Sequence, residues 1–238
     1  MNPEFSNCSK KECNITDLPI TKQPSGPLDL REIDAIIFDL GGVILNLDFD
    51  GPKRAFEALG VTDFEAHFTQ MKQSRVFLDL EVGAIGPPEF RNQLREELGI
   101  DLPDEALDNA WDSILLDFPA PRIRLLEELK AKYRTFLLSN TNILHYDKYS
   151  ADLYRDFGYR NMGELLEKDY YSHELGLRKP DSAIYEAVIK DAGLEPGRSL
   201  FIDDLEENIV AARHVGLKAH FLNLKAGEDI VNLLIPLK

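Results

Sequence analysis

Three short stretches of the chain place polar groups straight after an apolar run, an arrangement that mounts chemistry on a rigid support. Asp39 follows Ala35, Ile36, Ile37 and Phe38; Ser139 and Asn140 end the run from Thr135 to Leu138; Asp203 and Asp204 follow Leu200 to Ile202. Three carboxylates brought together do not all stay ionised cheaply without a cation. Oxygen ligands with room for water suit Mg²⁺. A fourth stretch, Gly176-Leu177-Arg178-Lys179-Pro180-Asp181, adds an ammonium, with Pro180 expected at a helix start holding Lys179 just before it. An ammonium beside a carboxylate and metal site neutralises a phosphoryl group. Asp39-Leu40-Gly41-Gly42 lacks the spacing of the dinucleotide and Walker glycine loops, and its carboxylate would repel phosphate without a cation between them, so a dinucleotide site is not expected. Taken singly, each of these groups also has an ordinary reading as a loop residue or a helix cap, the Asp203-Asp204 pair ahead of a helix from Leu205 to Val215 included.

The elements that must position these groups follow from the apolar pattern. Short continuous apolar runs ending abruptly at a polar residue read as strands buried on both faces, and a further run spans Leu217 to Leu222. Between them lie helical periods: Ile123, Leu126 and Leu129; Ile184 and Val188; Ile209, Ala212 and Val215, with Gly216 as the stop. Strands alternating with helices imply right-handed crossovers and a doubly wound parallel sheet, an α/β Rossmann-like core. Ligands in such sheets sit beyond the carboxyl ends of the strands, where Asp39, Ser139 with Asn140, and Asp203 with Asp204 are delivered.

Residues 49–116 have another rhythm. Ala55, Phe56 and Leu59 end at Gly60; Phe90, Leu94 and Leu98 end at Gly99; Leu107, Trp111, Ile114 and Leu115 form a third apolar face. The segment reads as an inserted α-helical cap over the sheet edge where the polar residues gather, a lid on the site. The core is then 33–48 with 117–238. Residues 1–32, with Pro19, Pro24, Gly26 and Pro27 and no apolar period, read as a flexible tail.

Composition narrows the partners. The 238 residues are 44% hydrophobic and 29% charged, a globular balance, and 27 basic against 42 acidic side chains give a net charge of −15. That field repels polyanions, so nucleic-acid binding is not expected, and no apolar stretch is long enough for a membrane span. A small anionic metabolite would need a local trap of metal, lysine and helix N-termini. Cys8 and Cys13 are the only cysteines, so the body of the protein has no internal disulfide or thiolate zinc site. Met1 to Ser6 carry no apolar signal core, and a cytoplasmic protein is expected.

Asp39-Leu40-Gly41-Gly42-Val43, Ser139-Asn140, Lys179-Pro180 and Asp203-Asp204, in this order, resemble the four motifs of the haloacid dehalogenase superfamily. The resemblance covers about residues 33 to 225, and the insertion looks like the family's first, helical cap class. Leu-Ser-Asn-Thr-Asn, Leu-Gly-Leu-Arg-Lys-Pro and Ile-Asp-Asp with Asn208 are similar to a bacterial branch that includes phosphatases of glucose 1-phosphate. The resemblance implies a phosphatase of small phosphorylated metabolites. Asp39 would be the nucleophile, Ser139 and Asn140 would hold phosphoryl oxygens, and Lys179 would offset their charge. Mg²⁺ would be held by Asp39, the carbonyl of Gly41 and Asp204, with Asp203 outside or through water.

One departure stands out. Family phosphatases usually carry a second aspartate two residues after the nucleophile as general acid and base, and this chain has Gly41 there. General acid catalysis contributes roughly 10² to 10⁴ in rate. Its loss implies slow turnover, a good leaving group such as an anomeric oxygen, or a replacement, for which Asp48 is the nearest carboxylate. Two alternatives remain open: a metal-binding regulatory protein with little turnover, and a 2-haloacid dehalogenase, which the Asp203-Asp204 pair disfavours because it would raise the pKa of a metal-free nucleophile. In the cap, Arg75 and Glu81 are candidates to face the leaving group.

Overall fold

The computed structural model describes residues 27–64, 66–68 and 75–234. Five parallel strands form one sheet: β1 (Ala35–Phe38), β2 (Arg134–Ser139), β3 (Lys168–Tyr171), β4 (Ser199–Asp203) and β5 (Lys218–Phe221), in the order β3-β2-β1-β4-β5. This is the expected doubly wound α/β core. The first strand lies at the centre, paired with β2 through Phe38↔Leu137 and with β4 through Phe38↔Ile202. The strand order reverses there, and the crevice such a reversal opens is where ligands bind.

The apolar runs alternate between two cores. Ile36 and Phe38 join Leu200, Ile202 and Leu137 on one face of the sheet, under α5 (Ala120–Lys130). Ala35, Ile37, Phe136, Leu138 and Phe201 face the other side, under α9 (Ser182–Ala192) and α10 (Glu206–His214). Burial on both faces is why these strands read as unbroken apolar runs rather than as alternating ones.

Between β1 and β2 the chain leaves the sheet for four helices: α1 (Gly51–Ala58), α2 (Val76–Glu81), α3 (Pro87–Leu98) and α4 (Asp104–Asp112). They enclose a core of their own, built from Phe56, Phe64, Leu80, Phe90, Leu94 and Leu107, with Leu144 of α6 (Ile143–Phe157) added from below. The two connections run side by side, bridged antiparallel at Leu47↔Leu115.

Three local expectations are revised, and one strand is added to those expected. The helix through Leu107 stops at Asp112, so Ile114 and Leu115 belong to the returning connection rather than to a third helical face. The strand β3 carries no apolar run: it is the sheet edge, and Lys168 is exposed while Tyr170 and Tyr171 are buried. The helix after Lys179 begins at Ser182, capped by Asp181 through its side chain to the Ala183 N–H, so Pro180 precedes the helix instead of opening it. The tail expected to run to residue 32 ends earlier, because Leu28 and Leu30 are buried and the Leu28 N–H donates to the Leu233 carbonyl at 2.8 Å near α11 (Ile230–Leu233). Residues 1–26 of that tail, with Cys8 and Cys13, lie outside the described residues. No helix among the described residues is long and apolar enough to cross a membrane.

Leu126 of α5 is fully buried against the sheet. Leu126→Ala is expected to lower unfolding free energy by about 2–5 kcal/mol, read as a lower urea midpoint with unchanged slope.

Candidate active site

The register of the central strands sets the site. Asp39 continues β1 by one residue, its N–H donating to the Ile202 carbonyl at 2.9 Å, while Ser139 is the last residue of β2 and Asp203 the last of β4. Carboxylate oxygens of Asp39, Asp203 and Asp204 can all lie within 4.8 Å of one another.

Lys179 makes this cluster tenable. Its ammonium donates to Asp39 Oδ1 and to Asp203 Oδ2, each at 2.7 Å, and sits 5.4 Å from the centre of the Phe201 ring. The side chain is 2% exposed, so an ammonium left unpaired there would be very costly. Burial works against its charge, but Asp203 and Asp39 more than offset that and leave its pKa above the ordinary value.

Asp203 is saturated. Besides Lys179, it accepts from the Asn208 amide nitrogen, at 3.0 Å to each of its two oxygens, and from the Leu205 N–H at 2.8 Å. This suits an outer anchor better than a direct ligand. Burial pushes Asp39 up, against the pull of Lys179 and with Asp203 and Asp204 adding to the rise. Burial and then Asp203 push Asp204 up to about 6. A divalent cation between Asp39 and Asp204 would relieve both, and their hard oxygen donors fit such an ion.

The loop after β1 is shaped for this proximity. Gly42 has φ +74°, and a Cβ there would meet Asp204 Oδ2 at 2.7 Å, so the second glycine of the motif keeps room for the carboxylate opposite. The first one, Gly41, bridges to Leu45, and a Cβ on it would meet Leu47 Cδ1 at 2.7 Å. A leucine methyl thus occupies the space beside the position where the acid would start.

On the β2 side, Ser139 is buried and Asn140 is locked to the lysine loop. Its amide nitrogen donates to the Lys179 carbonyl and its oxygen accepts from the Lys179 N–H, both at 2.9 Å. The side chain of Asn140 therefore positions Lys179. Ser172, a residue not singled out from sequence, closes the next turn, accepting from the Thr141 N–H and donating to the Thr141 carbonyl at 2.9 Å each. Asn142 caps α6 by accepting from the His145 N–H. Such caps are visible in sequence as polar residues before a helix, but their partners are not.

Asp48 points elsewhere. Its carboxylate pairs with Arg54, which holds its pKa below the ordinary value, the opposite of what a general acid near neutrality needs. Of the two cap candidates, Glu81 reaches the site, lining a cavity of about 240 Å³ together with Gly41, Ser139 and Asn140. Arg75 is exposed at the start of α2, outside the residues lining that cavity.

The family model of the haloacid dehalogenase-like hydrolases matches residues 33–216, the span that carries every element of this site. The chain belongs to the haloacid dehalogenase-like hydrolases. It is 31% identical over 186 residues to D-ribitol-5-phosphate phosphatase of Bacteroides thetaiotaomicron, covering 78% of this chain and 90% of that one. A haloacid dehalogenase-family enzyme from the same organism, solved in complex with magnesium and inorganic phosphate, superposes with a TM-score of 0.76 at 36% identity, over 83% of this chain and 96% of its own. L-2-haloacid dehalogenase of Xanthobacter autotrophicus, at 16% identity and a TM-score of 0.55 over 80% of this chain and 77% of its own, shares the fold alone.

The carboxylate cluster sets a pH dependence. In the unfolded chain Asp39 and Asp204 ionise near 3.8, but in the folded state they ionise later. Between those values the folded state holds more protons, so the contribution of these two groups to the stability of the metal-free protein is fully present below the unfolded value and is lost as pH rises through about 6 for Asp204 and about 7 for Asp39. A divalent cation takes the ionised carboxylates. The rise in Tm on adding Mg²⁺ in place of EDTA is therefore expected to be larger at pH 8 than at pH 5. Equal rises would contradict a cation between these two residues.

Proposed function

We propose that the protein is a Mg²⁺-dependent phosphatase of small phosphorylated metabolites, with sugar and polyol phosphates, hexose 1-phosphates among them, as its substrate class. The observation that carries this is the meeting of Asp39, Lys179 and the Asp203-Asp204 pair at the carboxyl ends of neighbouring parallel strands. Likeness to a D-ribitol-5-phosphate phosphatase and to a structure holding magnesium and phosphate supports it.

Asp39, Asp204 and the Gly41 carbonyl are the groups that would hold Mg²⁺, with Asp203 behind them. When bound, the ion supplies positive charge that lets an anionic nucleophile approach a phosphoryl dianion. Lys179 holds Asp39 Oδ1, leaving Oδ2 to attack phosphorus in line as the bond to the leaving oxygen breaks. Lys179 and Ser139 take up charge on the phosphoryl oxygens, and Asn140 keeps Lys179 in place. Water then attacks the aspartyl-phosphate, releasing phosphate and restoring the carboxylate.

Protonation of the leaving oxygen is the weak point. Gly41 supplies no acid, Leu47 fills the space beside it, and Asp48 is tied to Arg54. Such a site favours substrates whose leaving oxygen departs readily, and an anomeric oxygen is one. The same gap is the specific observation behind a second reading, a metal-binding regulatory protein with little turnover. The dehalogenase reading fits less well, because Asp203 and Asp204 would burden a metal-free nucleophile.

Asp39→Asn is expected to abolish hydrolysis of an aryl phosphate and of ribitol and hexose phosphates while leaving the thermal melt cooperative, and EDTA is expected to do the same to the unmodified protein. Full activity of Asp39→Asn would overturn the role of Asp39. Mg²⁺ binding with no hydrolysis across the panel would favour the regulatory reading, and halide release from 2-haloacids persisting in EDTA the dehalogenase one. With the acid missing, an aryl phosphate is expected to turn over faster than an alkyl phosphate of similar size, by up to roughly 10² to 10⁴.

A further inference from the structure

The cavity between cap and sheet edge has a single formally charged side chain among its lining residues, Glu81, at the last position of α2. Its Oε1 accepts from Arg178 Nε at 2.5 Å, in the loop that delivers Lys179. The end of the helix is pinned by a second contact. Gly83 has φ +69°, and a Cβ there would lie 2.3 Å from the His173 carbonyl oxygen in α8 (Ser172–Leu175). The cap thus meets the core backbone to backbone two residues beyond Glu81, and the carboxylate is fixed on both sides.

Three other polar side chains of the cavity are committed. Asn140 is bound to the Lys179 backbone. Asn142 caps α6, and His145 faces Asn142 Nδ2 at 3.1 Å with one ring nitrogen and the Trp111 carbonyl at 3.3 Å with the other. Burial pushes His145 down to about 4, so the ring is neutral near pH 7. Phe77 stacks on Trp111 at 5.0 Å and His145 at 5.1 Å. At about 240 Å³ the cavity is smaller than the pockets of about 300–1,000 Å³ that hold larger ligands.

We propose that Glu81, oriented by Arg178, selects the leaving group: its carboxylate accepts hydrogen bonds from hydroxyls of a neutral polyol or sugar, and by occupying Arg178 it denies that cation to leaving groups that carry a second phosphate or a carboxylate. The proposal rests on the phosphatase reading and names its substrate class. No lysine or arginine lines the cavity among the described residues, and Arg178 is already taken up by Glu81, so a second anionic group there would find no uncommitted cation in the lining.

The test compares three probes, ribitol 5-phosphate, an aryl monophosphate without hydroxyls and a sugar bisphosphate, in the unmodified protein and in Glu81→Ala, Glu81→Gln and Arg178→Gln. Removing a hydrogen bond to a charged group costs about tenfold or more in affinity. Glu81→Ala is expected to lower kcat/KM for the polyol phosphate relative to the aryl phosphate by about tenfold or more, expressed in KM. Glu81→Gln keeps an acceptor and loses the charge, so it is expected to restore part of that ratio and to raise bisphosphate hydrolysis relative to the aryl phosphate. Arg178→Gln is expected to move the ratio in the direction of Glu81→Ala, which keeps the test open if the alanine variant fails to fold. An unchanged ratio, or a fall confined to kcat, would overturn the proposal. Absence of aryl phosphate hydrolysis in the unmodified protein would instead remove the phosphatase reading and this proposal with it, whereas Asp39-dependent hydrolysis with an unchanged ratio would remove only the proposal.

Discussion

The site depends on one buried ammonium. Lys179 touches Asp39 and Asp203 at once, and without it these carboxylates and Asp204 would face one another in a nearly dry crevice. Much of the surrounding structure serves that placement. Asn140 fixes the Lys179 backbone from the end of β2, Asp181 starts the following helix, and Asn208 and the Leu205 N–H hold the far side of Asp203. Strands β1, β2 and β4 are coupled through the lysine as well as through the sheet.

What the sequence made legible followed from burial. Strands covered on both faces cannot avoid continuous apolar runs, so β1, β2 and β4 announced themselves, and the polar residues ending them marked the crevice. The edge strand β3 escaped because Lys168 and Asp169 face solvent enough to break any such run. The packing of Leu28 and Leu30 escaped for a related reason, since two leucines spaced by one residue among prolines and charges give no period.

Within the site, residue types were readable but partners were not. Asn140 follows a strand as a phosphate-binding residue would, yet its side chain is directed to the Lys179 backbone, a contact between residues 39 apart. Asp48 lies close in sequence to Gly41 but turns to Arg54. Glu81 meets Arg178 across 97 residues, and only the docking of the cap brings the two together. Long-range pairing of this kind depends on how two bodies sit against each other, which no local pattern encodes.

The chain has one tryptophan, and it lies where the helical insertion touches the sheet domain. Trp111 and Phe77 come from the insertion and His145 from the first turn after the second strand, so the indole is held against rings belonging to both bodies. Any swing that parts the bodies must slide the imidazole off the indole and open that side to solvent. The protein therefore carries an intrinsic optical gauge of aperture, whose emission reports cap position with no label attached.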